Sequence, residues 1–215
     1  MNVYCIPGLG VDERVFQNLN FNSPFTIHHV KWIQPNENED LAEYAERMCS
    51  AVDKTTSFII IGLSFGGMIA TEITNILKPH KTIIISSASN KYQLPWYVRI
   101  SKLLKLHKLI PTALLRHSSR LTEYIFGLKT ANERRLFQSI VSDTDTELVR
   151  WSIDTIVNWR RSSTPGGIIH IHGTADRLLP IRYVKPTYKI IGGGHFMIYS
   201  HAKEISALLN QIMAV

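Results

Sequence analysis

Two glycines around one serine give the first candidate for chemistry. Ser64 lies within Gly62-Leu63-Ser64-Phe65-Gly66, directly after the apolar run Phe58 to Ile61. A serine on a strained turn between a strand and a helix crowds the residues two before and two after it, so both must be small. The pattern therefore predicts a nucleophile elbow. Because a serine hydroxyl is a weak nucleophile, it also needs a base, an orienting acid and donors for the oxyanion.

Of the nine histidines, His195 is the best placed to be the base. It follows the glycines of Gly192-Gly193-Gly194 after the last predicted strand, where a flexible backbone lets an imidazole reach over the carboxyl edge of a parallel sheet. Asp176 follows the penultimate strand and is the candidate acid; the alternative is an Asx turn or a surface carboxylate. Ser64, Asp176 and His195 follow the chain order Ser, Asp, His, which is one of three convergent triad orders.

The oxyanion requires two backbone donors. The N–H of Phe65, the residue after the nucleophile, begins the following helix, whose dipole favours negative charge. The second donor is expected in the loop Pro7-Gly8-Leu9-Gly10, with the N–H of Leu9 as our choice and Gly8 or Gly10 as alternatives. A plain glycine turn is the other interpretation of this loop.

Six short apolar runs predict the strands that would position these residues. They alternate with helical patterns, which is typical of a mainly parallel α/β sheet with right-handed crossovers. The unbroken apolar character of Phe58 to Ile61 fits a strand covered on both faces. The predicted strands are residues 2–6, 25–30, 58–61, 82–85, 168–172 and 187–191, and the helices outside the longest interval are a short one near residues 15–19, then 41–52, 65–77 and 202–213.

Residues 90–161 depart from this alternation. Only helical patterns occur there, at residues 96–109, 114–126, 132–142 and 146–160. About 70 residues is too long for a crossover between two strands. We therefore predict an α/β core of residues 1–89 and 162–215, with a helical cap inserted at residues 90–161. Trp96, Trp151 and Trp159 are candidates to line a pocket beneath the cap, although aromatic residues at helical spacing are more often core.

The positive charge of the chain belongs to the predicted cap. Thirteen of the 24 Lys and Arg, but only six of the 17 Asp and Glu, lie in residues 90–161, so this interval holds the whole formal excess of +7. Arg99, Lys102, Lys105 and Lys108 recur every three residues. A solvated face, contact with an anionic substrate or acyl carrier, and interfacial membrane contact all remain open. Nucleic acid is not expected as a partner, because no reading motif accompanies the charge.

The composition is that of an ordinary globular domain. The chain has 215 residues, of which 45% are hydrophobic and 19% charged, enough to bury a substantial core. Cys5 and Cys49 lack CxxC spacing, and we expect buried or half-buried free thiols in a reducing compartment. No apolar run approaches the roughly 18 residues of a membrane span, and no leader pattern is recognisable, so a cytoplasmic location is expected.

Four motifs in this order resemble those of the α/β-hydrolase superfamily, in the capped branch that contains esterases, lipases, C–C hydrolases and related lyases. The resemblance covers the chain outside residues 90–161 and implies the α/β-hydrolase fold. Two features differ from the family pattern. Many members carry two strands ahead of the oxyanion loop, whereas here the strand that leads into this loop starts at Met1. A histidine usually stands where this chain has Pro7. The four motifs are Pro7-Gly8-Leu9-Gly10, Gly62-Leu63-Ser64-Phe65-Gly66-Gly67, His172-Gly173-Thr174-Ala175-Asp176 and Gly194-His195-Phe196.

The nucleophile type narrows the reaction that this resemblance implies. Members that open epoxides or displace halide use aspartate at the elbow, and dienelactone hydrolases use cysteine, whereas this chain has Ser64. We predict a serine hydrolase that cleaves a carboxylic ester or thioester, a small-molecule substrate, through an acyl-serine, with no cofactor or metal. The alternatives are a lyase or acyltransferase with the same triad, and a catalytically silent binding protein on this fold.

Overall fold

Six strands form one parallel sheet in the order β2-β1-β3-β4-β5-β6. The computed structural model describes residues 1–22, 24–104 and 118–214, apart from the side chains of residues 99 and 102–104. The sheet confirms the predicted fold class, and the strand ends differ from the predicted runs by two residues at most. The strands are β1 (Asn2–Ile6), β2 (Thr26–His29), β3 (Phe58–Leu63), β4 (Lys81–Ile85), β5 (Ile168–Gly173) and β6 (Tyr188–Ile190).

Helices cover both faces of this sheet. Outside residues 90–161 they are α1 (Leu41–Met48) and α2 (Phe65–Leu77), and near the carboxyl end α7 (Met197–Ser200) and α8 (Ala202–Ala214). Every residue of β3 is buried. Its side chains alternate between the two faces, so Ile60 packs with α1 and α2 while Ile59 and Ile61 pack with α7 and α8. The prediction of a strand covered on both faces is confirmed.

The interval between β4 and β5 is helical in the part of it that the structure describes. It contains α3 (Trp96–Leu104), α4 (Arg120–Phe126), α5 (Ala131–Ser142) and α6 (Thr146–Asn158), and the described residues between 90 and 161 include no strand. The end of the first predicted helix, the start of the second, and the basic residues Lys105 and Lys108 lie outside the described residues, as do the side chains of Arg99 and Lys102. The division into core and cap stays a prediction.

Polar side chains fix where several helices begin. Asp40 caps α1 and Thr130 caps α5, and in each helix a glutamate three residues later completes a capping box. The Asp145 carboxylate caps α6 by accepting hydrogen bonds from the N–H groups of Glu147 and Leu148. These contacts satisfy first-turn donors that have no acceptor within the helix, so the starting residues are set by local sequence.

Two of the predicted helices are shorter than expected. The helix predicted near residues 15–19 is a 3₁₀ turn at Glu13–Phe16, with Asp12 as its cap. The helix predicted over residues 41–52 ends at Met48 and continues as a 3₁₀ turn at Cys49–Ala51. Burial anchors both segments, because Val15 and Cys49 are fully or almost fully buried.

The two cysteines are free thiols, and both are buried. Burial raises the pKa of Cys5 to about 12, so this thiol stays protonated and unreactive. Over the described ranges, the structure contains no helix that is both long and apolar enough to cross a membrane.

Candidate active site

Ser64 occupies the turn between β3 and α2 in a conformation that L-residues rarely adopt. Its φ is 50° and its ψ is −117°. A Cβ added at Gly62 would collide with the backbone of Gly66, and one added at Gly66 would collide with the backbone of Pro7. Close backbone approach therefore requires both glycines: Gly62 meets the serine turn itself, as the sequence pattern predicts, whereas Gly66 meets the chain at the end of β1.

His195 lies beside Ser64, on the loop after β6. Its Nε2 is 2.9 Å from the Ser64 Oγ. The ring is 4% exposed, and it contacts Phe126 edge-on at a centroid distance of 5.3 Å. The backbone N–H of Phe196 donates to the carbonyl of Phe126, so the end of α4 helps to hold this loop in place.

Asp176 lies on the other side of the imidazole, in the loop after β5. Its Oδ2 accepts a hydrogen bond from His195 Nδ1 at 2.8 Å, and its Oδ1 accepts from the N–H groups of Leu178 and Leu179. Burial of Asp176 opposes ionisation, but the neighbouring His195 and these hydrogen bonds outweigh it and hold the pKa of the carboxyl below its usual value. The structure thus brings Ser64, His195 and Asp176 into one hydrogen-bonded series.

The two predicted oxyanion donors border the same space. Phe65 is the first residue of α2, so its N–H has no acceptor within the helix. Gly8 packs against Ser64, since a Cβ on Gly8 would lie 3.3 Å from the Ser64 Cβ. Leu9, the preferred second donor, lines the cavity with Gly8 and Phe65.

A cavity of about 600 Å³ opens above Ser64 and His195. The described residues that line it include no Lys, Arg, Asp or Glu. Besides the site residues, apolar and aromatic side chains make most of the wall, from α3, α4, α5, α6 and the loop after β5: Tyr97, Val98, Phe126, Phe137, Ile153, Ile156, Val157, Leu178 and Leu179. The described wall of the cavity is therefore mainly apolar next to a serine hydroxyl.

The three tryptophans considered as lining residues do not line this cavity. Trp96 is 53% exposed, Trp151 packs against Tyr44, and Trp159 is buried where its Nε1–H donates to Glu72. On α6, the residues that line the cavity are Ile153, Ile156 and Val157. The sequence analysis did not identify them, although their helical spacing places them on one face. It also missed two buried histidines on β5, His170 and His172.

Comparison with known proteins supports the assignment of the fold. A search of curated proteins returned no match. Similar solved structures include a bromoperoxidase from Bacillus anthracis, at 16% identity and a TM-score of 0.71 over 100% of this chain and 92% of that chain. An esterase from Thermogutta terrifontis is 12% identical, with a TM-score of 0.66 over 100% of this chain and 89% of that chain. A lipase-esterase related protein from Clostridium acetobutylicum is 15% identical, with a TM-score of 0.68 over 98% and 93% of the respective chains.

At these identities the structural likeness extends to the fold alone. A family model gives evidence beyond the fold. Residues 3–208, almost the whole sequence, match the model of the alpha/beta hydrolase family. This agrees with the parallel sheet, the strained serine turn and the order of the four motifs. The chain belongs to the alpha/beta hydrolase family.

Proposed function

We propose that this protein is a serine hydrolase that cleaves a carboxylic ester or thioester through an acyl-serine intermediate. The observation that carries the proposal is the series Ser64 Oγ, His195 Nε2, His195 Nδ1 and Asp176 Oδ2, with separations of 2.9 and 2.8 Å, at the base of an apolar cavity. A serine is activated when it lies within hydrogen-bond reach of a base, and the base lies within hydrogen-bond reach of an orienting acid.

In the first half of the reaction, His195 Nε2 takes the proton of Ser64 as Oγ attacks the substrate carbonyl. The negative charge that develops on the carbonyl oxygen is held by the N–H groups of Phe65 and Leu9. Asp176 holds the imidazole in the tautomer with its proton on Nδ1 and stabilises the imidazolium that forms. His195 then gives its proton to the leaving alcohol or thiol, and Ser64 is left acylated.

In the second half, water replaces the leaving group. His195 Nε2 accepts a proton from the water as its oxygen attacks the acyl carbonyl, and the same proton returns to Ser64 Oγ as the acid departs. Water is consumed and the enzyme is restored to its starting state, so no further reactant is required.

The helical segment between β4 and β5 is proposed to act as a cap. Tyr97, Phe126, Phe137 and Ile156 come from this segment, and all contact the cavity above Ser64. A covering wall of apolar side chains limits water at the reacting carbonyl and favours an apolar acyl or alcohol group. This supports residues 90–161 as a cap and an uncharged rather than an anionic substrate.

The test is a panel of nitrophenyl esters and acyl-CoA thioesters of graded chain length, with Ser64→Ala as the control. We expect wild-type cleavage that varies with chain length, none with Ser64→Ala, and labelling of Ser64 by a fluorophosphonate. Labelling without hydrolysis of any ester or thioester would contradict hydrolysis and favour acyl transfer or lyase chemistry. Absence of both would remove the enzyme assignment in favour of a binding protein.

A further inference from the structure

Two buried histidines lie on β5, close to the catalytic acid proposed above. His170 and His172 are two residues apart on a strand, so their side chains share one face of the sheet. His172 has no exposed surface and His170 is 5% exposed. The proposed reaction uses neither of them.

Their ring nitrogens form a connected series of contacts. The Nδ1 of His172 is 3.0 Å from the Nε2 of His170, and the Nε2 of His172 is 2.7 Å from the carbonyl oxygen of Leu179. The same Nε2 is 3.5 Å from Oδ2 of Asp176, the oxygen that accepts from His195. A second imidazole therefore lies beside the carboxylate oxygen that orients the base.

These contacts determine where the protons are. The Leu179 carbonyl can only accept, so His172 carries its proton on Nε2. In the neutral ring Nδ1 is then an acceptor, and His170 Nε2 must be the donor to it. Burial lowers the pKa of His170 to about 3 and also holds the pKa of His172 below its usual value, which agrees with two neutral rings.

The loop from Asp176 to Leu179, here called the acid loop, is hydrogen-bonded to β5 through His172. The Asp176 Oδ1 accepts from the N–H groups of Leu178 and Leu179, and the carbonyl of Leu179 in turn accepts from His172. Without that last bond, a buried carbonyl would lack its donor and the turn that presents both N–H groups to Asp176 would be free to shift. A displacement of the acid would be passed on to His195 through their shared hydrogen bond.

We propose that His172 is a positioning residue for Asp176, and that His170 fixes the tautomer in which His172 does this. The assignment rests on the proposed function, in which Asp176 orients His195. In this assignment, His172 is a neutral hydrogen-bond donor that holds the acid loop in place. The charge of the Asp176 carboxylate is then available to stabilise His195.

The test compares substitutions that differ in the reach of one donor. The side-chain amide of His172→Gln extends to the former position of Nε2, whereas that of His172→Asn ends near Nδ1. We expect His172→Asn to lower the second-order rate of Ser64 with a fluorophosphonate by about 10- to 100-fold, with kcat falling more than KM rises. His172→Gln should recover most of the rate. His170→Leu should slow the reaction less than His172→Asn, and His170→Gln should restore it.

A matched control and a thermal melt separate positioning from packing. His28→Asn changes another strand histidine, one that stacks on Tyr4 at the far edge of the sheet, and should leave the rate unchanged. Equal rates for wild type and His172→Asn would overturn the proposal. Equal losses for His172→Asn and His172→Gln, tracking their loss of Tm, would reduce His172 to a packing role and also overturn it.

Ring ¹⁵N spectra test the proposal even if a variant fails to fold. In the wild-type protein near neutral pH, we expect His172 to be neutral with its proton on Nε2, and an imidazolium or an Nδ1–H tautomer would overturn the proposal. Failure of the proposed function looks different: the wild type would then not react with the fluorophosphonate at all, while its spectra would still report the tautomers.

Discussion

At the scale of single residues, Ser64 is held in a conformation that its own side chain disfavours. Its φ of 50° and ψ of −117° lie where glycine is accommodated with little strain. We expect Ser64→Gly to raise the free energy of unfolding by about 1 kcal/mol while it abolishes ester cleavage. Ser64→Ala retains Cβ and should stay close to the wild type in stability. Urea denaturation of both variants measures this, and a less stable Ser64→Gly protein would argue against strain.

The buried histidine pair makes stability sensitive to acid. Burial lowers the pKa of His170 to about 3, whereas its unfolded value is about 6.5. Between these values the unfolded chain binds a proton that the folded chain does not, so the free energy of unfolding falls as the pH is lowered from about 6.5 towards about 3. This one group contributes a slope of up to about 1.4 kcal/mol per pH unit.

The groups that face His170 oppose one another: His172 further lowers its pKa, and Asp176 raises it. His170→Gln removes the titration while keeping a side-chain donor. We expect its unfolding free energy to fall less steeply than that of the wild type between about pH 7 and about pH 4.5, as measured by urea denaturation at each pH. Parallel curves for the two proteins would show that His170 is not the titrating group.

Sequence and structure agree best on residues at the ends of strands. Ser64 directly follows β3, and Asp176 and His195 lie in the loops after β5 and β6. Parallel strands place their carboxyl ends at one edge, so the order of the motifs is enough to bring these residues to the same edge of the sheet. The contact of His172 with Leu179 could not be predicted this way. It depends on how the turn after Asp176 folds back towards β5, and no local pattern specifies that path.

At the scale of elements, α6 separates two spaces of different character. Ile153, Ile156 and Val157 face the cavity above Ser64. Other residues of the same helix, including Trp151, Thr155 and Asn158, line a polar cleft of about 880 Å³. Helical periodicity predicted this helix, but not which face would meet the serine, because that depends on how the helix is rotated against the sheet.

Enlarging a side chain on the cavity face of α6 should change which substrates fit. We expect Ile153→Trp to raise KM for long-chain esters by about tenfold or more, with little change for the shortest ester, because the added ring occupies the acyl space. Asn158→Trp places the same ring on an exposed position of the other face and serves as the control. KM values measured across the ester panel for both variants test this, and an equal effect of the two would count against α6 as the wall of the acyl site.

At the scale of the whole molecule, the segment that holds the excess charge also supplies much of the cavity wall, but the described lining residues are uncharged. The formal excess of +7 falls within residues 90–161, while the described residues that line the Ser64 cavity carry no formal charge. Surface charges are screened by salt, whereas contacts inside an apolar cavity are affected much less. The binding of an uncharged substrate should therefore be largely independent of ionic strength.

Salt dependence tests whether the positive charge contributes to substrate binding. We expect kcat/KM for a neutral ester to stay nearly constant between about 50 mM and about 500 mM NaCl. The control is an ester of the same length with a terminal carboxylate, which should be the poorer substrate, because its charge would be desolvated in the cavity without a partner. A strong fall in kcat/KM with salt, confined to the carboxylate ester, would instead support an anionic substrate drawn to the basic segment.

The two outermost strands of the sheet are also its shortest, with four residues in β2 and three in β6. An unpaired strand edge is a template onto which a second chain can add, and short edges are one way in which proteins limit such pairing. Two copies of this chain joined edge to edge would gain only three or four residues of ladder. We therefore expect the short edge strands to limit aggregation of this protein by strand pairing, even in a concentrated solution.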